Sequence, residues 1–173
     1  MALYLIANGP MQTEAAFAAV TTGTAIKTML QVKPSATIAA KIVEWGISFD
    51  GFAAALPGKV ELIETDITAT VTAHATADIT RLDGSALSGG DPVTNLIQVG
   101  TAATGYTATD ESPATTIATV RNLDAPQFIA PTGQFIKQFP LGREPVIQIS
   151  KFARIRVTFG TAVNCYCYMI LEI

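Results

Sequence analysis

Two segments with a period of two fill the last quarter of the chain and restrict what it can fold into. In Phe152-Ala153-Arg154-Ile155-Arg156-Val157-Thr158-Phe159, the residues Ala153, Ile155, Val157 and Phe159 share one face, and Arg154, Arg156 and Thr158 share the other. After Gly160-Thr161-Ala162, the run from Val163 to Glu172 alternates in the same way, with Cys165, Cys167, Met169 and Leu171 on the apolar side. Such alternation turns one face of an extended strand to a core and the other to solvent, whereas a helix needs a period near 3.6. The short Gly-containing break predicts a hairpin between the two strands. The chain is therefore expected to end inside a sheet.

The same signal recurs upstream. Leu3–Ala7 is a strand candidate ended by Asn8-Gly9-Pro10, and Thr24–Val32 is another, closed by Pro34. Lys41–Asp50 is the clearest internal strand, with Val43, Trp45, Ile47 and Phe49 on one face and the single Trp as a core anchor. Lys59–Thr65 follows the Asp50-Gly51 turn, and Ile67–Thr72 is read as its continuation past a kink at Asp66. Residues 73–81 read as extended. Further strands are expected at Thr94–Val99, Thr115–Leu123, Gln127–Ala130, Phe135–Phe139 and Val146–Ile149. Gln12–Val20 is Ala-rich enough for a short helix, but Thr21-Thr22-Gly23 stops it at once. Asp83–Pro92 reads as a loop, and Gly100–Pro113 as a long excursion over the surface. Many short strands punctuated by turns predict an all-β, antiparallel β-sandwich, jelly-roll-like in organisation. No internal repeat or linker divides it.

With 173 residues the chain is long enough for a core that needs neither disulfide nor metal. Charged residues make up 14%, well below the usual quarter, while Ala and Thr together supply about three residues in ten. Two explanations stand side by side: a surface partly covered by copies or a partner, or plain Thr-rich exposed strand faces. A net charge of −3 with no basic cluster argues against direct nucleic-acid binding. No apolar run approaches a membrane span, and Met1–Ala7 is too short for a signal-peptide core, so synthesis in a cytoplasm is expected.

Chemistry finds little to work with. His74, the only histidine, lies in Thr72-Ala73-His74-Ala75-Thr76 with no nucleophile motif nearby, and reads as an ordinary strand or loop histidine. Glu44, Glu61 and Glu64 are strand carboxylates, but Glu61 and Glu64 differ by an odd step and face opposite ways, which leaves no acid–base pair. Asp78, Asp83, Asp91, Asp110 and Glu111 lack the alternating spacing of a calcium loop. Gly84, Gly89 and Gly90 lie among Ser and Asp, without the strand–helix setting of a phosphate loop. Cys165 and Cys167 supply half a zinc site at most; two residues of extended chain hold their Cα atoms roughly 6.5 Å apart, so they read as buried free thiols. No catalytic residue, metal ligand or cofactor is expected. The one candidate surface is an interface: Arg154 and Arg156 on one strand, with Tyr166 and Tyr168 at the same parity on the next. The competing reading pairs the arginines with Glu172 or Glu44 across neighbouring strands.

The string Val43-Glu44-Trp45-Gly46-Ile47-Ser48-Phe49-Asp50-Gly51 resembles one found in small virion-associated proteins of tailed bacteriophages. Phe139-Pro140-Leu141-Gly142-Arg143-Glu144-Pro145, Arg154-Ile155-Arg156-Val157 and Val163-Asn164-Cys165-Tyr166 add to the resemblance, which spans about residue 24 to the end. It implies a sandwich domain over 24–173, with residues 1–23 as an N-terminal strand or arm. It also implies a non-enzymatic capsid decoration (cement) protein of the virion, bound to the major capsid protein as a homo-oligomer, a trimer above others. A tail- or fibre-associated or carbohydrate-binding adhesion module is the alternative.

Overall fold

The computed structural model describes residues 2–10, 18, 20–51, 56–84, 96–108, 110–111, 117 and 120–173. In chain order its strands are β1 (Leu3–Ala7), β2 (Val20–Thr21), β3 (Ile26–Val32), β4 (Ala40–Asp50), β5 (Gly58–Thr65), β6 (Thr72–Ala73) and β7 (Thr80–Arg81). They continue with β8 (Gly105–Tyr106), β9 (Val120–Asn122), β10 (Gln127–Ile129), β11 (Gln134–Gln138), β12 (Val146–Ile147), β13 (Phe152–Thr158) and β14 (Asn164–Glu172). These form two sheets of seven strands. The first runs β11-β4-β14-β1-β7, with β12 also on β4 and β2 on β14. The second runs β10-β5-β13-β3-β8-β6, with β9 also on β5. Every strand pairing is antiparallel. The protein is an all-β sandwich, and its long strands pass from sheet to sheet in jelly-roll fashion: β3 in the second, β4 in the first, β5 in the second.

The alternating residues make the core. From β14, Cys165, Cys167, Met169 and Leu171 face inward, opposite Leu30, Val32, Leu62 and Ile155 of the second sheet. Trp45 is fully buried; its ring lies 5.0 Å from Phe135, and its Nε1 donates to Asp124 Oδ2 at 3.0 Å. The indole thus fills the core while its one polar atom stays bonded, which is what burial of a Trp requires. Phe49 and Phe159 close the other end, with ring centroids 4.8 Å apart. Met29 has no residue opposite it, because the β13 register steps from Leu30 at Ile155 to Thr28 at Arg156. This bulge leaves Leu30 and Val32 turned inward and Thr28 outward. The N-terminal segment places β1 between β14 and β7, with Tyr4 and Ile6 in the core. Buried Asn8 extends that pairing: its Oδ1 accepts from the Cys167 backbone N–H at 2.9 Å.

Several expectations are corrected. Gly160-Thr161-Ala162 is not a hairpin turn; it carries the chain from β13 in the second sheet to β14 in the first. A three-residue Gly-containing break suits a corner between sheets as well as a turn within one. Residues 67–71 form no strand, and only Thr72–Ala73 pairs, with β8. Thr76–Asp78 is a short 3-10 helix rather than extended chain. The strand expected over Thr94–Val99 reduces to a single bridge, Ile97 to Pro34; residues 94 and 95 lie outside the described residues. The 100–113 stretch is no surface excursion, because β8 pairs with β3 and Thr104, Ala108 and Glu111 are buried. Of the 115–123 strand, Val120–Asn122 is observed, whereas 115–116 and 118–119 lie outside the described residues. The helix considered over 12–20 and most of the 83–92 loop also lie outside them.

Candidate functional site

A sandwich has two outer faces, and here they differ. On the second sheet, cross-strand register sets Arg154 beside Gln31 and Arg156 beside Thr28 and Glu61, all pointing away from the core. Residues 66–71, 102–108 and 110–111 lie over them. Gln31 holds both segments, its Nε2 donating to Ala102 O at 2.7 Å and its Oε1 accepting from Ala69 N at 2.9 Å. Arg154 is fully buried and donates to the carbonyls of Glu111 (3.1 Å) and Ile67. Thr28 Oγ1 donates to the same Glu111 carbonyl at 3.1 Å. Arg156 donates to Glu61 at 3.0 Å and to the Glu111 carboxylate. Burial, against the pull of nearby Glu111 and with a smaller push from Arg156, lowers the Arg154 pKa to about 10. A guanidinium at that value is still charged at neutral pH, so its charge is held by buried carbonyls and carboxylate. Ala69, Val71 and Ala108 form a small apolar cluster under the same roof. The centre of this face is covered, while at its edge Phe128, opposite Lys59 on β5, stays exposed.

The first sheet's outer face carries no such cover among the described residues. In one cross-strand row Ala7 lies opposite Tyr168, Tyr168 opposite Gly46, and Gly46 opposite Ile136. A Cβ on Gly46 would come within 2.7 Å of the Tyr168 ring, so glycine at this position lets the ring lie flat on the strand. Tyr168 Oη donates to Glu44 Oε1 at 2.6 Å. Burial first, then the Glu44 bond and charge, push the Tyr168 pKa well up, and burial raises that of Tyr166 as well. Both phenols stay neutral donors at physiological pH. The Tyr166 and Tyr168 rings lie 6.0 Å apart at 35°. Tyr166 borders two shallow depressions, one of about 210 Å³ with Ile47, Ser48, Gln134, Ile136 and Tyr168. The other, of about 170 Å³, is lined with Leu5, Ala7, Gly9, Pro10, Asp78 and Thr80. Half-buried tyrosines beside exposed Ile136 and Gln134 suit contact with another surface.

The four residues singled out as one interface are therefore split. Tyr166 and Tyr168 are on the open face, Arg154 and Arg156 under the roof of the opposite one. The arginine pairing across neighbouring strands is also different in detail: Glu172 takes Lys41 at 3.4 Å, Glu44 takes Tyr168, and Arg156 takes Glu61 and Glu111. Glu64 is bound by Arg121 in a fork, at 2.9 and 2.8 Å, so each strand carboxylate has its own partner. His74 is fully buried, with Nε2 donating to the carbonyls of Ala7 (2.9 Å) and Gly9 (3.2 Å), and its ring lies 5.0 Å from that of Tyr106. Burial lowers its pKa more than the two backbone bonds and Asp78 raise it. Cys165 and Cys167 are free, buried thiols, and burial raises the Cys167 pKa. Among the described residues, no group of three or more His, Cys, Asp or Glu side chains could hold a metal ion, and no helix is long and apolar enough to cross a membrane.

Sequence reading passed over Gln31 and Gly46, and weighed Glu111 only as a loop carboxylate, whereas it is buried against Thr28, Arg154 and Arg156. Gly46 did give a signal, since a lone glycine within a strand marks close approach of another group. No family model, curated protein or solved structure matches this chain.

Proposed function

We propose that this protein is a non-enzymatic structural component of a tailed-phage virion, a decoration protein that docks on the head shell of major capsid protein as a homo-oligomer. The observation that carries the reading is the unequal treatment of the two outer faces. The centre of one is covered by the chain's own segments, and the other presents Tyr166, Tyr168 and Ile136. The resemblance of the 43–51 and 139–145 strings to virion-associated proteins supplies the context, and a trimer is the oligomer it implies. Repeated copies on a symmetric shell turn modest single contacts into firm attachment. Quantitative mass spectrometry of purified particles tests the reading: hundreds of copies per particle support it, and absence from particles sinks it. Tyr166→Ala should weaken binding to undecorated shells without lowering the melting temperature.

A second reading, a tail or fibre module that binds carbohydrate, is favoured by the two depressions beside Tyr166, where a sugar ring would find an aromatic face next to Ser48 and Gln134. A handful of copies per particle together with a hit on a glycan array would select it.

A further inference from the structure

We infer that β11 is a self-pairing edge, through which two copies of this chain join their first sheets into one continuous antiparallel sheet. Among the described residues no strand lies beyond β11. The bonds Phe49 N to Gly133 O and Phe139 N to Val43 O fix the hydrogen-bonding phase of this strand. Odd-numbered residues bond to β4, so the N–H and C=O groups of Gln134, Ile136 and Gln138 point outward. At five residues β11 is longer than the terminal strands β7, β10 and β6, which have two, three and two. Proteins usually blunt such an edge with an outward Lys, a Pro or a bulge. Here the outward row is Gln, Ile, Gln, and Ile136 is 57% exposed. The strand's one charge, Lys137, points the other way and is held by Asp124 at 2.5 Å.

The choice of a second copy as occupant comes from the residue order. A two-fold axis at Ile136 sets that residue opposite itself, Gln134 opposite Gln138, and Phe135 opposite Lys137, so no like charges meet. Both backbone groups of Ile136 point outward, so this central pair is a hydrogen-bonded one. The axis also extends the row Tyr168–Gly46–Ile136 directly into Ile136 and Tyr168 of the copy, covering the most exposed apolar side chain of that row. The contact joins chains in pairs and so stands against the trimer that the resemblance implies, while the decoration reading itself is tested apart from it by copy number in particles.

Sedimentation of the purified full chain at sub-millimolar concentration should give a species of twice the 18.2 kDa chain mass. Ile136→Lys, which sets like charges face to face, should return it to a single chain with an unchanged melting temperature. Ile136→Cys gives an independent readout. A hydrogen-bonded pair holds its Cα atoms about 5.5 Å apart, within disulfide range, and the native cysteines are buried. Mild oxidation should therefore yield a cross-linked dimer on a non-reducing gel. A single chain throughout, an oligomer that Ile136→Lys leaves intact, or no cross-link at position 136 would overturn the proposal.

Discussion

The outer faces of the two sheets are built from the same kind of strand, yet the centre of one is polar and covered while the other presents a mixed row of aromatic, apolar and polar side chains. On the second sheet, Arg154, Arg156, Glu61 and Gln31 look like solvent-facing residues and are instead roofed by 66–71, 102–108 and 110–111. On the first, Tyr166, Tyr168, Ile170 and Ile136 face outward with nothing described above them. The contrast shows that polarity does not decide exposure in this molecule; hydrogen-bond supply does. A buried guanidinium is tolerated because loop carbonyls come to meet it, and those loops stay in place because it is there.

Substitutions on the two faces should therefore differ in size. Arg154→Met takes the guanidinium from the Ile67 carbonyl, leaves the Glu111 carbonyl to Thr28 alone, and removes a positive charge from beside the Glu111 carboxylate. We expect a loss of about 3 kcal/mol in denaturant unfolding. A loss within error would mean that the roof does not depend on the arginine. Gly105→Ala should come next: the new Cβ would sit 2.2 Å from the Thr72 carbonyl oxygen, and backbone cannot swing aside. About 1–3 kcal/mol is expected, with looser protection of 102–108 in hydrogen exchange.

His74 tests the seam between the sheets, because it ties the end of β1 to the chain around β6 and β8. Its folded pKa lies below the ordinary 6.5, so the folded state favours the neutral ring. Above 6.5 its contribution is complete. As pH falls below 6.5 the unfolded chain takes up a proton that the folded one refuses, and stability drops until the depressed folded value is reached. Urea midpoints measured across that window should slope downward toward acid, and His74→Gln should flatten the slope. The smallest effect belongs to the open face. Tyr168→Phe deletes the bond to Glu44 but keeps the ring over Gly46, and should cost less than about 1 kcal/mol. A larger loss would show that the open face is as integral as the closed one.

How much of this was legible in sequence follows from where the information sits. The strands β3, β4, β5, β13 and β14 announce themselves because one face of each meets the apolar core, which writes a period of two. Which sheet each joins was not legible: Gly160-Thr161-Ala162 serves a corner as readily as a turn. The roof was missed because its residues, among them Ala69, Ala102, Ala103 and Ala108, are small and aperiodic, and are held by Gln31 and Arg154 from other strands. Parity alone placed Tyr166 and Tyr168 on an outer face. It placed Arg154 and Arg156 on one too, but it cannot tell that a second layer of chain covers them.

The position of β14 in its sheet has a kinetic consequence. It lies between β4 and β1, and its register sets Leu3 against Glu172 and Tyr4 against Leu171. Until residues 164–172 leave the ribosome, β1 and β4 have no neighbour to bridge them, and two half-sheets must wait with open ladders. Closing loops of that length before any contact rewards them places folding in the slow class of β proteins, roughly milliseconds to seconds. For that interval the nascent chain carries unpaired edges besides β11, which makes the insertion of β14 the step that closes them against misassembly.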